Sequence, residues 1–195
     1  PVHRVHGNIG KTGNAFIEEA LHLPKPPKLI GNYVLQTPGA YVFFGRAGVG
    51  KSFFAVQAAD AIAAGRDIIE TPDGLFKNET EPQPVLYVDR ELNTRQFKNR
   101  RENANGVPIY LSDNFHRLVP SYEIEEEEED CLQAIVEYSN AYNCKVVFLD
   151  NLSTLGKKLK DAQVAYELLK KFKTIAERHS ITFIMVTHTP KVNDF

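Results

Sequence analysis

The octapeptide GRAGVGKS at residues 45–52 constrains the fold of this chain more than any other stretch. It matches the pattern G-x-x-x-x-G-K-[ST] at every fixed position. An apolar run at residues 41–44 comes directly before it, and a helix-forming run at residues 53–64 comes directly after it. This order predicts a phosphate-binding loop, because the N–H groups of a glycine-rich turn between strand and helix point inward at an anion. The alternative is a glycine-rich turn that matches the pattern by chance.

The residues of this loop have distinct expected roles. The glycines at positions 45, 48 and 50 let the backbone turn at little steric cost. Lys51 would place a positive charge at the β- and γ-phosphates of a nucleotide, and the Ser52 hydroxyl would be a ligand of Mg²⁺. The positive end of the following helix dipole faces the same anion. We therefore predict that the nucleotide is bound by Gly45, Arg46, Ala47, Gly48, Val49, Gly50, Lys51, Ser52 and Phe53.

Composition is that of an ordinary globular protein. The chain has 195 residues, of which 43% are hydrophobic and 25% are charged, so we expect one domain with a core on two faces. A net charge of −2 gives no overall sign of nucleic-acid binding. Cys131 and Cys144 lack metal-ligand spacing and are expected to be free thiols in a reducing cytoplasm. Because no apolar run is long enough for a membrane span and no secretory leader is recognisable, we predict a cytoplasmic protein without membrane contact.

Strand and helix signals alternate along the chain from residue 41 onward. Continuous apolar runs indicate buried strands, and apolar residues at helical spacing indicate surface helices. The alternation predicts an α/β fold with a parallel sheet and helices on both faces. Residues 1–28 are expected to form a lead-in segment that packs on the core, and residues 29–195 the domain itself. The predicted strands are 41–44, 85–88, 107–111, 145–150 and 181–186; the predicted helices are 52–64, 94–105, one after the acidic block 123–130, and 161–179.

Three polar residues lie at or just after the C-terminal ends of predicted strands: Glu91, Asp150 and His188. In a parallel sheet these ends lie at one edge with the phosphate-binding loop, so we expect the three side chains to meet around one triphosphate. Asp150 is expected to fix Mg²⁺, either through a bound water or through Ser52. The alternative for Asp150 is an N-terminal cap of the turn that follows.

Glu91 and His188 are candidates for chemistry at the γ-phosphate, and with Lys51 they form the predicted catalytic group. Glu91 would orient and polarise the attacking water, with Asp89 as the next candidate. The alternative is a surface ion pair of Glu91 with a neighbouring arginine, Arg90 or Arg95. His188 would hydrogen-bond the γ-phosphate or the water and report the nucleotide state. A strand-end histidine with its hydrogen bonds satisfied is the alternative.

Five segments form a recognisable set: GRAGVGKS at 45–52, the alanine-rich helix ending in AAGRD, VLYVDRE at 85–91, VVFLDNLSTL at 146–155, and IMVTHTPK at 184–191. Together they resemble the RecA-like ATPases, and within them the RepA-like hexameric helicases and their phage and plasmid relatives. The resemblance covers about residues 30–191. It implies ATP with Mg²⁺ as the ligand, Glu91 as the catalytic carboxylate, Asp150 as the Walker B aspartate and His188 as the sensor.

The resemblance also implies partners. It suggests a homo-oligomeric ring or filament that binds DNA, in single-stranded form. A neighbouring subunit would supply an arginine finger, for which Arg100, Arg101 and Arg178 are eligible. Members of the group have a longer loop after the NLST-like stretch and further strands after the sensor residue. We therefore expect this sequence to be shortened, or to lack loop residues, near Gly156 and after Lys191, where the group has its DNA-contacting loops.

These patterns favour two functions of different classes. The first is an ATP-hydrolysing motor or switch on DNA, helicase- or recombinase-like, for replication or repair. The basic stretches 95–101 and 157–160 favour it, although such residues also form ordinary solvated helix surface. The second is a regulatory nucleotide-binding adaptor with slow turnover. A small-molecule kinase is a weaker third interpretation, because no arginine-rich lid over the phosphates is recognisable.

Overall fold

The computed structural model describes residues 3–5, 8–119, 128–155 and 161–188. Two short antiparallel strand pairs, β1 with β2 and β3 with β4, lie outside the main sheet. The described elements are, in chain order, β1 (His3–Val5), β2 (Asn8–Gly10), α1 (Gly13–Leu21), β3 (Lys28–Ile30), β4 (Val34–Leu35), β5 (Gly39–Gly45), α2 (Lys51–Ala63), β6 (Val85–Asp89), α3 (Thr94–Asn99), β7 (Phe115–Leu118), α4 (Glu128–Ala141), β8 (Val146–Asp150), a 3₁₀ turn (Leu152–Thr154), α5 (Ala162–His179) and β9 (Thr182–His188).

The other five strands form one sheet in the order β5-β9-β8-β6-β7. Every neighbouring pair in it is parallel, which confirms the prediction from the alternation of strands and helices. The register places Gly45 beside His188, Asp150 beside Val186, and Asp89 beside Asp150. The C-terminal ends of β5, β9, β8 and β6 therefore lie along the same rim of the sheet.

Helices cover both faces of this sheet, also as predicted. On one face α2 packs in a core that includes Tyr87 and Phe148, and on the other face α4 and α5 pack in a core that includes Leu149 and Phe183. β6 and β8 are buried at all five of their residues because both faces are covered. All five alanines of α2 are buried, so this helix lies close to the sheet. The acidic residues 123–127, before α4, lie outside the described part of the chain.

Within the N-terminal lead-in, α1 does not pack on the core as expected. α1 has no buried residue, and its apolar Phe16, Ile17 and Leu21 are 49%, 59% and 71% exposed. An irregular stretch containing three prolines connects α1 to β3. Because proline and the residue before it favour extended backbone, this stretch does not form the tight turn that would fold α1 back on the sheet.

The predictions for residues 94–111 are partly wrong. α3 ends at Asn99 instead of continuing to residue 105, and residues 107–111 are not a strand. The outer strand is β7, in a stretch that the sequence patterns did not assign. Local turn chemistry explains the difference: the Asn103 side chain accepts two backbone N–H groups at 2.9 and 3.0 Å, and Gly106 has a φ of 73°.

Candidate functional site

The phosphate-binding loop joins the end of β5 to the start of α2. Gly48 and Gly50 have φ angles of 79° and 88°, in the left-handed region that favours glycine. Gly45 is different, because a Cβ there would make only ordinary contacts, 3.6 Å from Lys51 and 3.7 Å from Val49. α2 begins after Gly50, which has no side chain to cap it, so the first N–H groups of the helix are left for a ligand.

Lys51 folds back onto the loop that precedes it. Its Nζ donates to the carbonyl oxygens of Gly45 and Arg46 at 2.8 and 2.7 Å, and lies 3.1 Å from Nδ1 of His188. His188 reaches the loop because β9 pairs with β5 in a register that sets it beside Gly45. An ammonium group can only donate, so Nδ1 is the acceptor here and the imidazole proton is assigned to Nε2.

Ser52 connects the loop to the two acidic strand ends. Its hydroxyl donates to Oε2 of Glu91 at 3.3 Å. Burial raises the pKa of Asp150, and the Ser52 hydroxyl opposes this rise. Because its one proton points to Glu91, the hydroxyl acts on Asp150 as a nearby dipole. The structure thus brings Ser52, Glu91 and Asp150 together, next to the contact between Lys51 and His188.

The Asp150 carboxylate is only half satisfied. The residue is 2% exposed, and its Oδ2 accepts a hydrogen bond from the Tyr87 hydroxyl at 2.7 Å. Its Oδ1 is buried and has no hydrogen-bond partner among the residues described. Because buried polar atoms in native proteins nearly always have a partner, this oxygen is a ready ligand for a cation or for water bound to one.

Burial and neighbouring charge shift the titration of this cluster. Burial raises the pKa of Asp150; the hydrogen bond from Tyr87 and the Ser52 hydroxyl oppose the rise, and the negative charges of Glu91 and Asp89 add to it. Burial also raises the pKa of Tyr87 well above its usual range, and the charge of Asp150 raises it further. Tyr87 therefore remains a hydrogen-bond donor at neutral pH.

The donor set fits Mg²⁺ held jointly with a nucleotide. In the ranges that the structure describes, no group of three or more His, Cys, Asp or Glu side chains is arranged to hold a metal ion alone. Ser52 and Asp150 would bind the ion from the protein side, and the nucleotide and water would supply the other oxygens. The buried free oxygen of Asp150 and the acidic surroundings suit such an ion. When bound, Mg²⁺ neutralises charge between the β- and γ-phosphates.

Comparison with protein families agrees with this geometry. The family described as AAA domain matches residues 11–194 of the chain. The chain belongs to this AAA domain family. It is accordingly a P-loop ATPase, a class of protein that binds nucleotide. No curated protein matches this AAA domain in sequence. In the described ranges, none of its helices has the length and apolar character needed to cross a bilayer.

The other predicted loop residues of the AAA domain lie at its surface. Arg46 and Ala47 are exposed, and Val49 and Phe53 are 64% and 61% exposed. A cavity of about 200 Å³ adjoins the loop and is lined mainly by apolar side chains, including Phe44 and Val49. These side chains are accessible to a bound nucleotide. In the described residues, none of them contacts Glu91 or Asp150.

The three arginines considered as fingers lie in different places in the AAA domain. Arg100 and Arg101 line a small pocket together with Ser52, so they lie near the phosphate-binding loop of their own chain. Arg178 is in the last turn of α5, which leads into the start of β9. The site is at the other end of β9, about 20 Å away at the rise of an extended strand. Arg178 is therefore out of reach of its own site.

Sequence patterns missed Tyr87 and Arg117, which contact the acidic residues of the site. Tyr87 was predicted in a buried strand. Because a buried tyrosine hydroxyl needs a hydrogen-bond partner, its position there could have indicated a contact with a polar residue of the site. Arg117 falls in the unassigned stretch and binds Asp89 at 2.8 Å. Asp89 also accepts two backbone N–H groups, at 3.1 and 2.9 Å, so it is not free to replace Glu91 as catalytic carboxylate.

Asp150→Asn should stabilise the nucleotide-free AAA domain at neutral pH while impairing Mg²⁺-dependent turnover. The asparagine amide oxygen can still accept the hydrogen bond from the Tyr87 hydroxyl. The substitution also removes a buried negative charge that is repelled by Glu91 and Asp89. We expect a gain of about 1 kcal/mol, which raises the melting temperature by about 2–4 °C for a chain of this size. Thermal unfolding without nucleotide measures it.

The same comparison predicts a pH dependence. A carboxyl group whose folded pKa is raised stabilises the fold below its unfolded pKa of about 3.9, and this contribution is lost as pH rises through the folded pKa. The difference between Asp150→Asn and wild type should therefore shrink toward acid pH. A difference that grows with acidity would contradict the raised pKa.

Proposed function

We propose that this AAA domain is an ATP-hydrolysing motor or switch that acts on DNA as a homo-oligomeric ring or filament, most like the RepA-like hexameric helicases. The observation that carries the proposal is the 3.3 Å hydrogen bond from Ser52 to Glu91. It puts an exposed carboxylate beside the hydroxyl that follows the phosphate-binding lysine. That is where a base for the attacking water is needed.

Each residue then has a role in one reaction. Lys51 exchanges the carbonyls of Gly45 and Arg46 for the phosphates, which offer full negative charges. Ser52 and Asp150 would hold Mg²⁺. Glu91 orients a water and accepts its proton as the water oxygen bonds to the γ-phosphorus and the bond from that phosphorus to the departing ADP breaks.

His188 would act as the sensor of nucleotide state. Its Nδ1 lies 3.1 Å from Nζ of Lys51. Binding of a triphosphate draws Lys51 away and leaves the imidazole to hydrogen-bond the γ-phosphate or the water. The state of the nucleotide is thereby passed to the chain that follows β9.

A second set of contacts leads from the site to Thr154, which precedes the lysine-rich residues 157–160 in the sequence. Arg90, next to Glu91 in sequence, donates through Nε to Thr154 Oγ1 at 3.3 Å and through Nη2 to the Thr154 carbonyl at 3.3 Å. Its backbone N–H donates to the Asp150 carbonyl at 2.7 Å. DNA bound by those lysines would thus bias the position of Glu91, as a DNA-stimulated ATPase requires.

The test measures ATP hydrolysis and single-stranded DNA binding over a range of salt concentrations. We expect DNA to stimulate turnover at low salt. In a variant with Lys157, Lys158 and Lys160 replaced by alanine, the slope of log affinity against log salt should fall by about 2, at about 0.7 per lost phosphate contact. A variant with alanine at Lys170, Lys171 and Lys173 of α5 has the same charge change and should keep the wild-type slope. Equal effects of both variants, or no binding at low salt, would oppose a DNA role.

One observation favours a slow regulatory adaptor instead. Lys51 already makes two hydrogen bonds within its own loop and a contact with His188, all of which ATP must replace. An adaptor would bind ATP, hydrolyse it slowly and show no stimulation by DNA. Measuring solution mass with and without ATP and DNA tests the predicted ring or filament in the same preparation.

A further inference from the structure

Asp89 is a buried carboxylate that holds the backbone next to Glu91. It is 1% exposed at the end of β6. Its Oδ1 accepts the backbone N–H of Glu91 at 3.1 Å and that of Leu92 at 2.9 Å. The peptide groups that carry the Glu91 side chain out of the sheet are therefore tied to the last residue of the strand.

Arg117 holds Asp89 from the neighbouring strand β7. Its Nε and Nη2 donate to Oδ2 of Asp89 at 3.1 and 2.8 Å, and Nη2 also donates to the Leu92 carbonyl at 2.7 Å. The guanidinium lies over the ring of Phe97, 4.2 Å from its centroid. A planar fork can make these contacts together, whereas a lysine ammonium cannot reproduce them.

The Glu91 side chain itself is weakly fixed. It is exposed, and its carboxylate accepts a 3.3 Å hydrogen bond from the Ser52 hydroxyl. This hydroxyl would become a ligand of Mg²⁺, and the hydrogen bond to Glu91 would then be lost. Once that happens, the direction of Glu91 depends on its backbone. The backbone is held by Asp89, and Asp89 by Arg117.

We propose that Arg117 is a positioning residue for hydrolysis: through Asp89 it fixes the peptide of Glu91 so that this carboxylate faces the attacking water. The inference rests on the proposed role of Glu91 as catalytic carboxylate. A buried ion pair adds little stability compared with apolar packing, so its value here is that it specifies one backbone geometry.

Arg117→Lys tests the proposal, because it keeps the charge and removes the fork. We expect turnover to fall about tenfold to a hundredfold, since small displacements of a catalytic group have effects of this size. The KM for ATP should change less than about threefold, because Lys51 and its loop are untouched. The matched control is Arg66→Lys, which alters a second Arg–Asp pair, with Asp60, at the far end of α2; its turnover should equal wild type.

A double-mutant cycle separates positioning from general stability. If Arg117 acts through Glu91, Arg117→Lys should have no further effect on single-turnover rates in the Glu91→Gln background. The same fold reduction in both backgrounds would overturn the proposal, as would normal turnover of Arg117→Lys alone. Normal turnover of Glu91→Gln, by contrast, would reject the catalytic role of Glu91 itself.

A milder variant decides the matter if Arg117→Lys does not fold. Phe97→Leu removes the ring under the guanidinium and keeps every hydrogen bond of Arg117. We expect turnover to fall about threefold at unchanged KM, a loss typical of one cation–π contact. This loss should also vanish in the Glu91→Gln background, and unchanged turnover in folded Phe97→Leu would contradict the proposal.

Discussion

Lys51→Ala should weaken ATP binding by about tenfold to a hundredfold and leave no measurable turnover. The variant removes the one lysine of the phosphate-binding loop, and a hydrogen bond to a charged group contributes about 1.5–3 kcal/mol. The loss of its hydrogen bonds to Gly45 and Arg46 affects a loop at the surface, so the melting temperature should change little. Titration calorimetry with a slowly hydrolysed ATP analogue gives the affinity.

The matched control for this variant is Lys25→Ala, which removes an exposed lysine from the stretch between α1 and β3. It should bind the analogue as wild type does. ATP affinity in Lys51→Ala equal to that of the control would mean that the loop does not bind phosphate through Lys51.

Glu91→Gln should reduce turnover by about 10²–10⁴-fold and change ATP affinity by less than about threefold. The amide cannot accept the proton of the attacking water, which removes general-base catalysis of that size. It still accepts a hydrogen bond from Ser52, so the ground-state arrangement of the loop is kept. Single-turnover hydrolysis and analogue binding, measured on the same sample, separate the two effects.

Glu81→Gln makes the same chemical change at an exposed position before β6 and should hydrolyse ATP at the wild-type rate. A normal rate in Glu91→Gln would remove the catalytic assignment. Asp89 would not take over the catalytic role, because its carboxylate is buried and accepts hydrogen bonds from Arg117 and from backbone N–H groups.

Local sequence patterns predicted the central strands and helix of the fold, because the sequences of these elements follow from their burial alone. The runs that became β6 and β8 are apolar throughout and are covered on both faces, so their position could be deduced without knowing their neighbours. The same holds for the alanine-rich α2. The parallel arrangement then placed Glu91, Asp150 and His188 at the rim on which the loop lies, and the structure brings them close to Ser52 and Lys51.

Side-chain contacts across strands could not be predicted from such patterns. Arg117 reaches Asp89 over 28 positions, and Tyr87 reaches Asp150 over 63, so neither pairing has a local signature. β7 was missed because its burial is only intermediate, which leaves little alternation to detect. The steric need for glycine at position 45 was inferred from the motif, but its backbone uses no left-handed angle.

Mn²⁺ binding followed by electron paramagnetic resonance tests the central claim most directly: that Ser52 and Asp150 hold one divalent ion together with a bound nucleotide. With a slowly hydrolysed ATP analogue present, wild type should bind Mn²⁺ tightly, and both Ser52→Ala and Asp150→Asn should weaken it by about tenfold or more. Without the analogue, binding should be weak in all three proteins, since the described residues include no group of three or more His, Cys, Asp or Glu side chains arranged for a metal. Wild-type Mn²⁺ affinity in both variants, while the analogue still binds, would contradict the account.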